Sequence, residues 1–305
     1  MSTRSFTALG TASQVPTRHR NHNGYLLRWD EVGFLFDPGE GTQRQMIHAG
    51  HSMSGVHHIC ITHFHGDHCL GLPGVLQRAS LDGIAHPLNV HYHDSGAAFI
   101  QRLRYASIYQ ERARVVERPF AGPGVLERTA TWTLSSDELD HGTPSFGYRV
   151  EAAPGWTLEP ERLAEAGLRG PQIGQLQREG AVEHAGRRWT LAELGRARPG
   201  QSVAVVMDTR PCAGAERLAQ GVDLLICEST YLSDHQAEAR ARGHMTARDA
   251  ALLARAAGAR RLVLTHFSQR YPDIAAFVAE AAPIFPEVVA VADGDTIPLR
   301  GDRKE

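Results

Sequence analysis

The stretch that decides the fold reads HHICITHFHGDHCLGLPG and covers residues 57–74. Its first part, His58–Thr62, is an apolar run that predicts a buried β-strand ending abruptly at His63. Four polar side chains able to bind metal then fall within the six residues 63–68. Four such side chains so close together, directly after a buried strand, indicate a functional site rather than a polar surface turn.

The spacing of these polar residues suits metal binding. Alternate residues of an extended segment point the same way, so His63 and His65 can bind one ion together. Gly66 permits a tight reversal, which turns Asp67 and His68 toward a neighbouring position. Imidazole and carboxylate groups are zinc ligands. The run therefore predicts a metal site at the end of a strand.

Other β-runs along the chain also stop at polar residues. A hairpin is predicted over Tyr25–Arg28 and Gly33–Phe36, and it leads into Asp37. Because functional groups gather where the strands of α/β proteins end, we expect the polar residues that end the later runs to converge on one rim with His63. These later runs are Ser202–Met207, ending at Asp208; Asp223–Cys227, ending at Glu228; and Arg261–Thr265, ending at His266.

A helix is predicted over Thr246–Ala257, where Thr246 stands at the N-cap and Asp249 at the capping-box position. His244 precedes this helix, and Glu228 ends the strand before it. A carboxylate in that position could hold the imidazole of His244 in one orientation.

Residues 155–190 differ from the rest of the chain. They are rich in Gly, Pro, Glu and Arg and show little sustained apolar periodicity, which predicts an excursion from the core. Five Arg and five Glu leave this stretch without net charge, so phosphate binding by it alone should be weak. We therefore predict a single α/β domain over residues 1–305 with an inserted arm at 155–190.

The composition is that of an ordinary globular protein. Among 305 residues, 32 are basic and 34 acidic, for a formal net charge of −2. This balance excludes a polybasic nucleic-acid arm, a fibrous repeat and a disordered tail protein, but a local basic cleft remains compatible with it. No signal peptide and no apolar run of about 18 residues are present, and the four cysteines lack CxxC spacing, so a soluble cytoplasmic protein is expected.

The motifs together resemble those of the metallo-β-lactamase superfamily and, within it, of the ribonuclease Z family of tRNA 3′-processing endonucleases. The HxHxDH run at 63–68 is typical of the superfamily. The further motifs, which extend over nearly the whole chain, are similar to those of the ribonuclease Z family within it. Pro38 stands where the family's FDCGEGTQRQ stretch usually has Cys. The further motifs lie at residues 9–11, 16–21, 36–45, 140–142, 207–209, 228–231, 243–246 and 264–267.

The resemblance implies an αββα sandwich with two zinc ions at the rim where strands end. It implies that the first ion is bound by His63, His65 and His141. The second ion would be bound by Asp67, His68 and His266, and Asp208 would bridge both.

The resemblance also implies an activity, which is removal of the 3′ trailer from precursor tRNA to leave a 3′-hydroxyl. Asp67 would orient the attacking water, His244 would protonate the leaving oxygen, and Glu228 would orient His244. Arg18 and Arg20 are candidates for phosphate contact near the cut. The 155–190 arm, with Arg169 in its Gly-Pro motif, would grasp the tRNA elbow, and a homodimer is expected in which one subunit's arm serves the other's site.

Two other functions remain open from the sequence. A phosphodiesterase with the same dinuclear site and a smaller substrate is compatible with the charge-neutral arm. A non-catalytic RNA-binding protein without metals is disfavoured by the complete set of seven ligand residues. For the remaining histidines, we expect His57 and His58 at surface or supporting positions and structural roles for His91 and His93.

Overall fold

The computed structural model describes residues 4–299, which form two seven-stranded β-sheets packed face to face with helices on their outer faces. This arrangement confirms the predicted αββα sandwich. The strands, in chain order, are β1 (Ser5–Gly10), β2 (Ala12–Ser13), β3 (Gly24–Trp29), β4 (Val32–Phe36), β5 (His58–Cys60), β6 (Leu88–His93), β7 (Val115–Phe120), β8 (Gly124–Arg128), β9 (Trp132–Leu139), β10 (Ser145–Ala152), β11 (Gly155–Leu158), β12 (Ala181–His184), β13 (Arg187–Thr190), β14 (Gly195–Arg198), β15 (Ser202–Val206), β16 (Leu224–Glu228), β17 (Leu262–Thr265), β18 (Phe267–Ser268), β19 (Val288–Ala290) and β20 (Thr296–Pro298).

Helices connect most of the parallel strands. The α-helices, in chain order, are α1 (Thr42–His48), α2 (Gly66–Cys69), α3 (Leu72–Asp82), α4 (Ala97–Arg104), α5 (Pro160–Glu165), α6 (Gly170–Glu179), α7 (Leu191–Leu194), α8 (Ala213–Ala219), α9 (Gln236–Arg242), α10 (Ala247–Ala256) and α11 (Ala275–Ala281). No helix in the described part of the chain is long and apolar enough to cross a membrane.

The order of strands brings the functional ends together. The first sheet has the order β20-β1-β3-β4-β5-β6-β7, and the second has the order β19-β17-β16-β15-β10-β9-β8. Strands β4 to β7 pair in parallel, as do β15, β16, β17 and β19. Each set of parallel strands therefore presents its carboxyl ends at one edge.

Three apolar layers hold the sandwich together. The central layer lies between the sheets and includes Phe34, Trp132 and Tyr148. One outer layer packs α1, α3 and α4 on the first sheet, and the other packs α8, α10 and α11 on the second. Successive side chains of a strand point to opposite faces of the sheet, so each sheet packs apolar side chains on both faces. The sandwich therefore forms a rigid support for the residues at its rim.

The local predictions for the hairpin and the long helix are confirmed. Strands β3 and β4 form the hairpin that leads into Asp37. Helix α10 begins after the N-cap Thr246, whose hydroxyl accepts a hydrogen bond from the backbone N–H of Asp249, while the Asp249 carboxylate accepts from the N–H of Thr246. This capping box sets the start of the helix shortly after His244.

Residues Gly155–Arg198, hereafter the arm segment, form a separate small structure. Strand β11 pairs with β14, and β12 pairs with β13. The sequence of this segment shows little apolar periodicity, because its buried residues are divided among several short elements. The segment nevertheless has an apolar core, which the sequence did not reveal. The residues of this core are Leu163, Ala166, Leu168, Leu176, Val182 and Leu194.

A candidate dinuclear metal centre at the sheet rim

The carboxyl ends of parallel strands from both sheets meet at one rim of the sandwich. His63 follows β5 after a short link, and His266 directly follows β17. Glu228 is the last residue of β16, and Asp208 lies two residues beyond β15. The four residues that the sequence expects at one rim are therefore close in the structure, and all four side chains are buried.

The first cluster of possible ligands consists of His63, His65, His141 and Asp208. Nδ1 of His65 lies 3.0 Å from Nε2 of His63 and 3.3 Å from Nε2 of His141. Asp208 directs Oδ2 at this group, 3.6 Å from His63 Nε2 and 3.8 Å from His141 Nε2. These four donor atoms surround one position that a divalent cation could take.

The second cluster consists of Asp67, His68 and His266. Asp208 directs its other oxygen, Oδ1, at this group, 3.3 Å from His68 Nε2 and 3.1 Å from His266 Nε2. Oδ2 of Asp67 lies 3.5 Å from His68 Nε2 and 3.8 Å from His266 Nε2. Because its two oxygens face different clusters, Asp208 has the geometry of a bridging carboxylate.

Asp37, which directly follows β4, accepts hydrogen bonds that orient two histidine rings, one directly and one through Thr62. The carboxylate of Asp37 accepts from the hydroxyl of Thr62 at 2.7 Å and from Nδ1 of His68 at 2.8 Å. Since the single proton of Thr62 is used in this way, Nδ1–H of His63 must donate to the Thr62 oxygen, 3.0 Å away. With Nδ1 held in this way, both rings direct Nε2 toward the cluster.

Hydrogen bonds to Nδ1 also orient the histidines that lie on the side of the second sheet. The hydroxyl of Thr230 donates to Glu228 at 2.6 Å, so it must accept from Nδ1–H of His266 at 2.8 Å. Nδ1 of His141 donates to the backbone carbonyl of Gly243 at 2.8 Å. Four histidines therefore direct Nε2 at the clusters while a hydrogen bond holds Nδ1, which is the usual arrangement of a metal-binding histidine.

The electrostatics of the rim favour a cation. Burial raises the pKa of the Asp208 carboxyl, but the charges of His266, His68 and His63 outweigh burial and hold that pKa well below its usual range. Burial lowers the pKa of His68, but Asp208, Asp67 and Asp37 outweigh it and raise the pKa well above its usual value. The buried carboxylates of the site therefore favour the presence of positive charge near them.

Two buried atoms test whether a metal fits. Oδ1 of Asp208 and Nε2 of His266 are among the buried side-chain atoms of the described residues that have no hydrogen-bond partner. Buried polar atoms are normally satisfied, and an orphaned carboxylate oxygen facing an orphaned imidazole nitrogen is costly. The donor set of nitrogen and oxygen atoms fits zinc or a similar divalent ion.

The backbone at the rim is strained where ligands must be aimed. Gln14, Asp37 and His266 adopt positive φ angles of 60°, 46° and 63°. Non-glycine residues rarely occupy this region, and such strain concentrates at functional sites. Gly39 is required here because a Cβ atom would lie 2.1 Å from the carbonyl oxygen of Asp67.

His244 lies beside the clusters and is held by Glu228. Oε1 of the fully buried Glu228 accepts a hydrogen bond from Nδ1 of His244 at 2.9 Å. Burial lowers the pKa of His244, but the carboxylates of Glu228 and Asp208 outweigh burial and raise it to about 9. The ring is therefore protonated at neutral pH. Because Nδ1 is held by Glu228, Nε2 is the nitrogen that can donate a proton.

The clusters open into a cavity of about 690 Å³. Arg242 and Arg270 line its wall, and both guanidinium groups bind the single carboxylate of Glu238. One net positive charge thus faces the cavity from this pair. The remaining lining residues are Ser13, Gln14, Val15, His22, His65, Gly66, Asp67, Leu70, His141, Asp208, Tyr231, His244, Ser268 and Gln269.

The three arginines predicted to contact phosphate lie in different environments. Arg20 is buried, and its Nη2 donates to the carbonyl oxygens of Ser268 and Tyr271, so it anchors the N-terminal loop instead of facing a phosphate. Arg18 is exposed but does not line the cavity. Arg169 lies exposed on the arm segment, directly before α6.

Sequence reasoning missed the residues that orient the ligands. Asp37, Thr62 and Thr230 lie within the motifs quoted above, but their type and spacing alone assign them no role. The backbone N–H of Gln14, which donates to Asp67 Oδ2 at 2.8 Å, has no sequence signal. Asp37 could have been found, because it follows a strand just as Asp208 and His266 do.

Comparison with known proteins adds independent findings. Models of the metallo-β-lactamase superfamily and of the β-lactamase superfamily domain match residues 17–163 and 181–267. The chain is 53% identical over 282 residues to ribonuclease Z of Streptomyces avermitilis, with 92% of each chain covered. It is 51% identical to ribonuclease Z of Nocardia farcinica, covering 98% of this chain and 99% of that one. The crystal structure of human tRNase Z, short form, is similar with a TM-score of 0.72 and 25% identity, covering 97% of this chain and 99% of that one.

Proposed function

The chain belongs to the ribonuclease Z family of the metallo-β-lactamase superfamily and is a tRNA 3′-processing endonuclease; from this premise we propose how its rim performs the reaction. We propose that it removes the 3′ trailer of precursor tRNA and leaves a 3′-hydroxyl on the tRNA. The observation that carries this proposal is the pair of clusters joined by the two oxygens of Asp208.

Two zinc ions would occupy these clusters. His63, His65 and His141 would hold one, Asp67, His68 and His266 would hold the other, and Asp208 would bridge them. When bound, such a pair of cations would polarise the scissile phosphate and lower the pKa of the attacking water. The proposal is supported by the preset Nε2 donors and by the orphaned atoms of Asp208 and His266.

The chain's own groups would control the protons of the reaction. The N–H of Gln14 fixes one oxygen of Asp67, which leaves that carboxylate in place to orient the attacking water. As the bond between phosphorus and the tRNA 3′ oxygen breaks, His244 would deliver its Nε2 proton to the departing oxygen. Glu228 would keep the imidazole aimed through its hydrogen bond to Nδ1.

Substrate binding would be divided between the cavity and the arm segment. Arg242 and Arg270 are placed to meet backbone phosphates beside the cut, because they line the cavity and share only one carboxylate. The arm segment would bind the tRNA elbow, and Arg169 is one exposed cation available for it. Residues 164–180, which neither family model matches, lie inside this segment.

The proposal extends to assembly and location. Exposed apolar side chains on or beside α2 to α4 support the homodimer that the family resemblance implies. We also propose a cytoplasmic location, which the four free cysteines support. The apolar side chains in question are Leu70, Leu81, Phe99, Tyr105 and Ile108.

One experiment tests the proposed reaction. Purified protein is incubated with a precursor tRNA carrying a 3′ trailer, with zinc present, and the new ends are mapped. We expect one cut that leaves a 3′-hydroxyl on the tRNA and a 5′-phosphate on the trailer. Cleavage that leaves a 3′-phosphate on the tRNA would contradict the role given to His244, because the 3′ oxygen would then not be the leaving group.

A further inference from the structure

A second group of metal-binding side chains lies outside the rim. His58 on β5, His91 on β6 and Glu127 on β8 bring their donor atoms within 4.8 Å of one another. The two histidines are buried, whereas the Glu127 side chain is 32% exposed. The sequence suggested only supporting roles for His58 and His91, since nothing in it connects them to Glu127, which lies on the other sheet.

The donor distances reproduce those of the catalytic rim. Nδ1 of His58 lies 3.0 Å from Nε2 of His91, the same distance that separates the donor atoms of His63 and His65. Oε2 of Glu127 lies 3.8 Å from His58 Nδ1 and 3.9 Å from His91 Nε2. Two imidazoles and one carboxylate at this spacing form a three-ligand site with room for water as a fourth ligand.

The histidines of this group are in the right protonation state. Burial, with smaller contributions from the neighbouring His91 and Arg118, lowers the pKa of His58 to about 3, and burial together with Arg118 lowers the pKa of His91 to about 4. Both rings are therefore neutral at physiological pH, and neutral imidazole is the form that binds metal. The partial exposure of Glu127 supplies a route from solvent.

One neighbouring charge opposes a cation. The exposed Arg118 on β7 donates to the Asn89 side chain at 3.1 Å, and its charge helps burial to lower the pKa of both histidines. Burial raises the pKa of Glu127, and Arg118 opposes that rise. A positive charge so close must weaken binding of a second one. The affinity should therefore be lower than at the rim, where the nearby charges are carboxylates.

We propose that His58, His91 and Glu127 form a third divalent-cation site, distinct from the catalytic centre, which bridges the two sheets of the sandwich. The ligand is a transition-metal dication of the zinc or copper class, because the donors are two nitrogens and one oxygen. The ion replaces the hydrogen bond between the two rings and ties β5 and β6 of the first sheet to β8 of the second.

The first test counts zinc. Wild-type protein and Glu127→Gln are dialysed against the same excess of zinc, and metal is measured per chain. We expect the variant to hold one ion fewer, whatever the catalytic centre contains, because the rim is common to both proteins. Glu151→Gln, a change to a partly exposed glutamate of β10, is the matched control and should equal wild type.

The second test uses tryptophan fluorescence. The ring of Trp132 lies edge-on to His58 with centroids 5.2 Å apart, so Cu²⁺ bound in the cluster should quench it. In protein dialysed so that weakly bound zinc leaves and only the rim stays filled, Cu²⁺ should quench wild type, and Trp132→Phe should remove that component. Glu127→Gln should need about tenfold more Cu²⁺ or more, since losing a direct ligand costs at least as much as losing a supporting one.

Arg118→Gln provides a variant that strengthens the site. It leaves all three ligands in place and removes the opposing charge, so the Cu²⁺ midpoint should move to lower concentration. This result decides the question even if Glu127→Gln folds poorly by circular dichroism. Equal zinc content in wild type and Glu127→Gln, or a Cu²⁺ midpoint that Arg118→Gln does not lower, would overturn the proposal and leave the histidines as a buried hydrogen-bonded pair.

Discussion

The rim of the sandwich and the arm segment are built in opposite ways. At the rim, charged side chains are buried, Asp37 and His266 adopt positive φ angles, and Oδ1 of Asp208 and Nε2 of His266 lack hydrogen-bond partners. In the arm segment the charged side chains are mostly exposed, and a core of six small or aliphatic residues supports short elements. The rim therefore buries many charged groups, which is unfavourable, whereas the arm segment leaves its charged groups in solvent.

This difference suits the division of chemistry and binding that we propose. Buried carboxylates and oriented imidazoles are unfavourable unless a cation compensates them, so the sheets must hold them rigidly. Binding a large polyanion needs only exposed cations on a foldable support, and the arm segment can provide these without strain. Changes at the rim should therefore alter metal content and turnover, and changes in the arm segment should alter affinity alone.

The largest effect is expected from Asp208→Ala. Because each oxygen of Asp208 faces one cluster, its loss should empty most of both sites and lower turnover by about 10⁴-fold, the consequence of losing metal-based charge stabilisation. Metal analysis and a cleavage assay measure the two effects. Asp234→Ala, at an exposed aspartate, is the control, and full metal occupancy in Asp208→Ala would remove Asp208 from the ligand set.

His244→Ala should have the next largest effect. Turnover on precursor tRNA should fall by about 10²–10⁴-fold, the range for a lost general acid, while metal content stays near that of wild type. A nitrophenyl phosphodiester should lose much less activity, because its leaving group needs no proton. His235→Ala, a change in a partly exposed histidine, should cost little. An equal loss on both substrates would show that His244 is not the proton donor.

Thr230→Val should act through His266. The change keeps the shape of the side chain but removes the hydroxyl that selects the Nε2 lone pair of His266. Zinc affinity of the second cluster should fall by about 10–100-fold, the usual effect of losing a supporting hydrogen bond. Competition with a chelator measures this, with the exposed Thr131→Val as control. Unchanged affinity would mean that the tautomer is selected in another way.

The smallest effect is expected from removing the arm segment. The N–H of Ala152 donates to the carbonyl of Gln201 at 2.8 Å, so a short glycine-serine link can replace residues 155–198. Affinity for precursor tRNA should fall modestly, because seven Arg and six Glu leave little net charge in this segment. Hydrolysis of a small phosphodiester should not change.

Two outcomes would alter the comparison between the regions. Equal affinity for precursor tRNA before and after the excision would contradict binding by the arm segment. A parallel loss on both substrates would show that the segment supports the sandwich or the dimer, and the predicted separation of chemistry from binding would be wrong.

Much of this architecture follows from local sequence patterns. The alternation of short strands and helices, the strand ends at His63, Asp208 and His266 and the capping box at Thr246 all depend on residues close together in the chain. The arm segment was harder to predict, because its core residues are spread over several short elements. The burial of Arg20 was not predictable, since it depends on where the N-terminal loop packs.

The sequence by itself determined which polar side chains stand at strand ends, through periodicity and spacing. Its motifs identified the family, and the resemblance to that family implied the sandwich. Only the tertiary structure decided which oxygen of Asp208 faces which cluster, which nitrogen of each histidine is free, and that Glu127 meets His58 and His91 across the two sheets. The physical reason is that these features depend on contacts between residues far apart in the chain. Their distances are set by how the two sheets pack, and no local pattern encodes that packing.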